Sequence, residues 1–146
     1  MLVMTTGSPS PILAPLVALV AWTFVMWAWM YATRVPAIMK MRMKPDPNMP
    51  RGEQMALLPA EVRWKADNYN NLLEMPTLFY AIVITLALVG RDQGLALGLA
   101  WAYVGLRVIH SVFQATVNKI EVRFVLFTLS SLVLAGMTLV AALAFF

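Results

Sequence analysis

The sequence predicts an all-α membrane protein, a single domain over residues 1–146 built as a four-transmembrane-helix up-and-down bundle. Three observations predict it. Hydrophobic residues make up 61% of the chain and charged residues 12%, with a mean hydropathy of +0.74, whereas soluble domains carry about 25% charged residues. A chain of 146 residues cannot hide that much apolar surface in a soluble core, because small domains bury only part of their area. Apolar runs also recur at the length of a bilayer span, about 20 residues. They lack the alternation of a barrel strand, and a chain in lipid must satisfy its backbone in helices or a closed barrel.

The first span covers residues 12–33. Ile12 to Thr33 carries no charge, and Trp22, Trp27, Trp29 and Tyr31 gather toward its end, as aromatics do near a membrane interface. The flank Met1–Ser10 lacks Lys and Arg and the apolar run exceeds an h-region, so the segment reads as a retained span and not as a signal peptide. Residues 34–62 form a charged connector in which Pro36, Pro45, Pro47, Pro50 and Pro59 are expected to prevent a long regular helix.

The second span covers residues 62–89 and ends at the tight turn Gly90-Arg91-Asp92-Gln93-Gly94. The third covers residues 95–117. A short polar link from Asn118 to Glu121 leads to the fourth, residues 122–146, which has no acidic or basic side chain after Arg123.

Arg34, Lys40, Arg42, Lys44, Arg51, Arg63 and Lys65 surround the first connector, seven of the eleven Lys and Arg. Lys119 and Arg123 fall on the same side, and the opposite turn has only Arg91. The positive-inside rule then sets both basic ends toward the cytoplasm and both termini away from it. The basic connector reads as this topological signal and not as a nucleic-acid site. With no Cys and one His, the chain has no disulfide, no thiolate metal site and no thiol nucleophile of its own, and a metal held by protein ligands alone is not expected. No Gly-rich phosphate loop, serine triad or zinc motif is present.

Polar residues inside the spans form stripes. On the second helix Arg63, Asp67, Asn70, Asn71, Glu74 and Thr77 share one face at helical spacing. Such a face is costly against lipid and must look into the bundle or onto a partner subunit. On the third, Tyr103, Arg107, His110, Ser111, Gln114 and Asn118 do the same; on the fourth, Lys119, Arg123, Phe127 and Ser130 or Ser131. All three stripes are richest at the basic end, so they are expected to form a polar pocket there. The bland alternatives are that Glu74 merely pairs with Arg107 or Arg123, that His110 is a hydrogen-bonding group and not a base, and that Asn71 satisfies backbone freed by Pro76.

The segment Arg63-Trp-Lys-Ala-Asp-Asn-Tyr-Asn-Asn71-Leu-Leu-Glu74-Met-Pro76 resembles the second-helix signature of the MAPEG family, the membrane-associated proteins of eicosanoid and glutathione metabolism, and looks closest to its bacterial members. Arg107-Val-Ile-His110-Ser resembles the family's third-helix Arg-x-x-His segment. Arg123, sixteen residues after Arg107, resembles the arginine that opens the fourth helix and is held to be catalytic in glutathione-using members.

The resemblance implies a MAPEG-like homotrimer in the bilayer, for a bacterial chain in the inner membrane, with glutathione as cosubstrate between neighbouring subunits. Asn71 and Glu74 would bind the glutathione backbone, Arg107 a carboxylate, and Arg123 the thiol; Arg63, His110 and Gln114 fall at the same site. The implied activity is a glutathione-dependent transferase or peroxidase acting on small lipophilic electrophiles or hydroperoxides. The sequence departs from the pattern at Asp67, where eicosanoid-synthesising members carry arginine, and at Gln114 and Phe127, where site tyrosines are usual. Those departures keep a non-enzymatic scaffold or lipid-binding trimer as the alternative. A channel is the weaker third, because the polar stripes end part-way along the helices.

Overall fold

The structure is a computed structural model that describes residues 8–50 and 52–145, so Arg51, the first seven residues of the N-terminal flank and the terminal Phe146 of the fourth span lie outside the described residues. Six helices follow in order: α1 (Leu13–Lys40), α2 (Glu53–Ala56), α3 (Ala60–Glu74), α4 (Pro76–Leu88), α5 (Leu95–Thr116) and α6 (Ile120–Ala142). No strand occurs among the described residues. Helix α3 continues into α4 as one apolar rod from Ala60 to Leu88, which with α1, α5 and α6 makes four helices long and apolar enough to cross a membrane.

The first helix is longer than the proline pattern predicts. It runs through Pro36 to Lys40, and its 28 residues span about 42 Å, well beyond the roughly 30 Å hydrocarbon core. Proline removes one donor but its φ is helical. The carbonyl that loses its partner is that of exposed Ala32, where the helix is leaving the apolar layer and water can replace the bond. Lys40 in the last turn complements the helix dipole.

The connector after α1 is ordered. Gln54 donates from Nε2 to the Lys44 carbonyl and accepts from the Asp46 N–H at 3.2 Å. Asp46 Oδ1 accepts from the Asn48 N–H at 2.9 Å, an Asx turn. Gly52 enters α2 at φ +92°, where a side chain would be strained, and Leu58, 3% exposed, pins the segment to the bundle.

Helix α3 stops at Glu74 and α4 begins at Pro76, with Met75 between them. Pro76 lacks the N–H that the Leu72 carbonyl would otherwise receive, so the helical bonding of the rod is interrupted there. Thr77 closes part of the gap by donating to the Glu74 carbonyl at 2.7 Å.

The α4–α5 turn is a left-handed helix end: Gly90 has φ +70° and the Arg91 N–H reaches back to the Leu86 carbonyl at 2.9 Å. Ser10 donates to Asp92 at 2.6 Å, tying the approach to α1 onto this turn. Helix α5 lies at the centre of the bundle, with α1, α3 and α6 against it. Its Tyr103 stacks on Phe79 of α4 at 4.4 Å between ring centroids, within a core that includes Leu19, Met26, Leu72, Val83, Leu86, Ala100 and Met137.

Candidate functional site

Four helix ends gather at the basic pole: the end of α1, the start of α3, the end of α5 and the start of α6. Lys65 joins two of them by donating to the Ala115 carbonyl at 3.2 Å, and its ammonium sits 5.4 Å from the Trp29 ring centre on α1.

The α5 stripe is buried as its spacing requires: Tyr103, Arg107, His110, Ser111 and Gln114 all face inward. Asn118 is not part of that helical face. It is the left-handed residue, φ +56°, of the α5–α6 turn, and its N–H returns to the Phe113 carbonyl at 2.9 Å. Freed from the helix, its side-chain oxygen accepts from Arg123 Nη1 at 2.7 Å and aims that guanidinium.

Arg107 is 1% exposed. Its Nη2 donates to Asn71 Oδ1 at 2.6 Å and to the Asn71 backbone carbonyl at 3.1 Å. Asn71 belongs to the last turn of α3, so the guanidinium braces the end of that helix against α5, where a cation also suits the dipole. Arg107 Nε and Nη1 are buried without a hydrogen-bond partner.

Asn71, His110 and Arg123 meet in one pocket, together with Ile120, Phe124 and Phe127. The His110 ring stands edge-on to Phe127, centroids 6.5 Å apart. The pocket measures ≈ 190 Å³, below the roughly 300–1,000 Å³ of complete small-molecule sites.

The other expected site residues lie elsewhere. Gln114 is 2% exposed, behind the pocket wall, with its Oε1 unpartnered. Arg63, Asp67, Asn70, Glu74 and Thr77 are exposed on this chain, so of the two directions open to that stripe the bundle interior is excluded. Arg63, Asp67 and Asn70 line a second cleft with Arg34, beneath α2. Asn70 and Asn71 thus face different cavities, as neighbours about 100° apart on a helix must.

Asn68 carries a role that the stripe pattern misses. It is 1% exposed and donates to Ser111 Oγ at 2.7 Å, and Trp22 Nε1 on α1 donates to the same oxygen at 3.0 Å. Three helices are thereby joined at one hydroxyl beside the pocket. The available signal was its offset of three from Asn71, which turns it toward α5.

Compared with known proteins, residues 12–143 match the model of the MAPEG family, while no curated protein and no solved structure matches the chain. That match takes in all four membrane-spanning helices, the Asn71-x-x-Glu74-x-Pro76 segment at the α3–α4 break and Arg123 at the head of α6, and the chain belongs to the MAPEG family.

Proposed function

We propose that this multi-pass membrane protein is a glutathione-dependent transferase or peroxidase for small lipophilic electrophiles or hydroperoxides, with Arg123 activating the thiol. The observation that carries the reading is the Arg123 guanidinium, held by Asn118 and opening onto a pocket with apolar walls, Ile120, Phe124 and Phe127. A free thiol has a pKa of about 8.5, and an adjacent guanidinium favours the thiolate, the reactive form. Attack by sulfur on a carbon electrophile forms a C–S bond and expels the leaving group. Attack on a hydroperoxide breaks the O–O bond and releases an alcohol, and a second thiol then completes the disulfide and releases water. Asn71 and Glu74 hold the peptide part of glutathione, and Arg107 acts on it through Asn71.

The same reading makes the protein a homotrimer whose neighbouring subunit covers the exposed α3 stripe and supplies the second wall of the pocket. The basic pole faces the cytoplasm of a bacterial inner membrane, the thiol arrives from water and the electrophile from the bilayer. Anaerobic titration of the purified protein with glutathione tests the chemistry: saturable thiolate absorbance in the ultraviolet is expected, and its loss in Arg123→Ala. No signal, or one indifferent to Arg123, would sink the reading. Gln114, buried behind the wall, and Asp67, facing the other cleft, favour the second reading, a non-enzymatic lipid-binding trimer. It predicts no turnover of any broad electrophile.

A further inference from the structure

At the pole opposite the basic one, a cleft opens between the start of α5 and the end of α6. It measures ≈ 310 Å³, and its lining divides in two: Arg91 and Gln93 in the turn, and Leu95, Ala96, Val140 and Leu143 on the helices beneath. Arg91 is the only Lys or Arg that the sequence places at this pole. Its backbone is fixed, because its N–H reaches the Leu86 carbonyl and the flanking glycines, Gly90 and Gly94, hold left-handed φ values of +70° and +57°. Its side chain is exposed and meets no acceptor among the described residues. Asp92, the adjacent acid, accepts from Ser10 instead.

The setting suits a lipid better than a solute. Leu88, Leu95 and Leu143 are all exposed around the turn, so the hydrocarbon layer reaches the foot of the cleft, and lipid phosphates lie within about 5–8 Å of its edge. One solvated guanidinium is a weak site for free phosphate, whereas apolar walls beneath it add the burial of an acyl chain. The cleft also stays open in the trimer proposed above. Val140 and Leu143 lie on the far side of α6 from Ile120, Phe124 and Phe127, and Leu143 follows Leu132 by eleven residues, about three turns, on one face. A neighbour that completes the Arg123 pocket and covers the α3 stripe therefore leaves this face to lipid.

We propose that this cleft seats a membrane phospholipid, its phosphate on Arg91 and Gln93 and one acyl chain along Leu95, Val140 and Leu143. The inference is independent of thiol chemistry at Arg123. The chain has no Cys, so Leu139→Cys, at an exposed position one turn before Leu143, can carry a single trifluoromethyl tag for fluorine NMR of the full-length protein in detergent micelles. Dioleoylphosphatidylglycerol is expected to shift the tag saturably, with a midpoint about tenfold higher in Arg91→Ala, the scale of one charge-assisted hydrogen bond. Dioleoylglycerol, the same chains without phosphate, should bind about tenfold more weakly and be indifferent to Arg91→Ala. Glycerophosphoglycerol, the same head group without chains, and inorganic phosphate should give no shift at matched concentration. No saturable shift, equal binding of the two dioleoyl lipids, a midpoint unmoved by Arg91→Ala, or a shift produced by the head group or phosphate alone would overturn the proposal.

Discussion

Arg107 and Asn71 are joined twice by a single nitrogen, Nη2, which reaches the Asn71 side-chain oxygen at 2.6 Å and its backbone carbonyl at 3.1 Å. The pairing fastens the end of α3 to the central helix one turn before Pro76. Asn71→Ala keeps the backbone contact and removes the side-chain one, whereas Arg107→Gln weakens both. In a double-mutant cycle the pair should show a coupling of about 1–3 kcal/mol, read from unfolding in mixed detergent micelles. Additive losses would mean that the contact does not contribute in solution.

Ser111 receives two donors from two other helices. Ser111→Ala leaves the Trp22 and Asn68 donors buried and unpaired, a loss of about 1–3 kcal/mol. Adding Trp22→Phe and Asn68→Leu to Ser111→Ala should recover most of that loss, because no orphaned donor remains. A triple variant less stable than Ser111→Ala would contradict this account.

Arg123→Ala should lower glutathione-dependent turnover of a broad electrophile about 100-fold, the effect of removing one preorganised donor from a developing charge. Thermal stability should stay near wild type, since the residue is only half-buried. Asn118→Ala should give a smaller loss, with kcat falling more than KM rises, because the guanidinium remains but is no longer aimed.

The exposed α3 stripe gives a prediction about assembly. A carboxylate facing lipid near mid-membrane costs about 2.5–3.5 kcal/mol, so on the proposed trimer Glu74 is expected to be covered by another subunit. The chain has no Cys, which allows single spin labels. A label at Glu74 should be shielded from membrane-dissolved oxygen, and one at Leu132, 64% exposed on α6, should be fully accessible. Equal accessibility would mean that the stripe faces lipid.

Four spans were legible because hydropathy over some twenty residues is a bulk property, insensitive to any one side chain. Pro36 was not, because whether a proline ends a helix depends on whether water can reach the carbonyl it orphans. The α5 stripe was legible for a different reason: Arg107, His110 and Gln114 lie at helical spacing and are costly against lipid. Spacing alone does not reveal a partner, so the engagement of Arg107 with the Asn71 backbone and the turn role of Asn118 emerge only in three dimensions. Asn68 lies off the exposed stripe and its acceptor is on another helix, so helical spacing within α3 gives its direction but no sign of its role.

Adjacent Asn70 and Asn71 line separate cavities, which makes α3 a partition wall whose lettering is read from both sides. Substitutions on such a wall act locally and one at a time. A single-residue insertion between Arg63 and Asp67 acts differently: it turns every residue before it by about 100° relative to those after it and misaligns Arg63 with Asp67. The connector of residues 41–59 precedes α3, so a change in its length rotates no residue of α3 against another. In this molecule the two-sided use of α3 therefore fixes the number of residues within that helix.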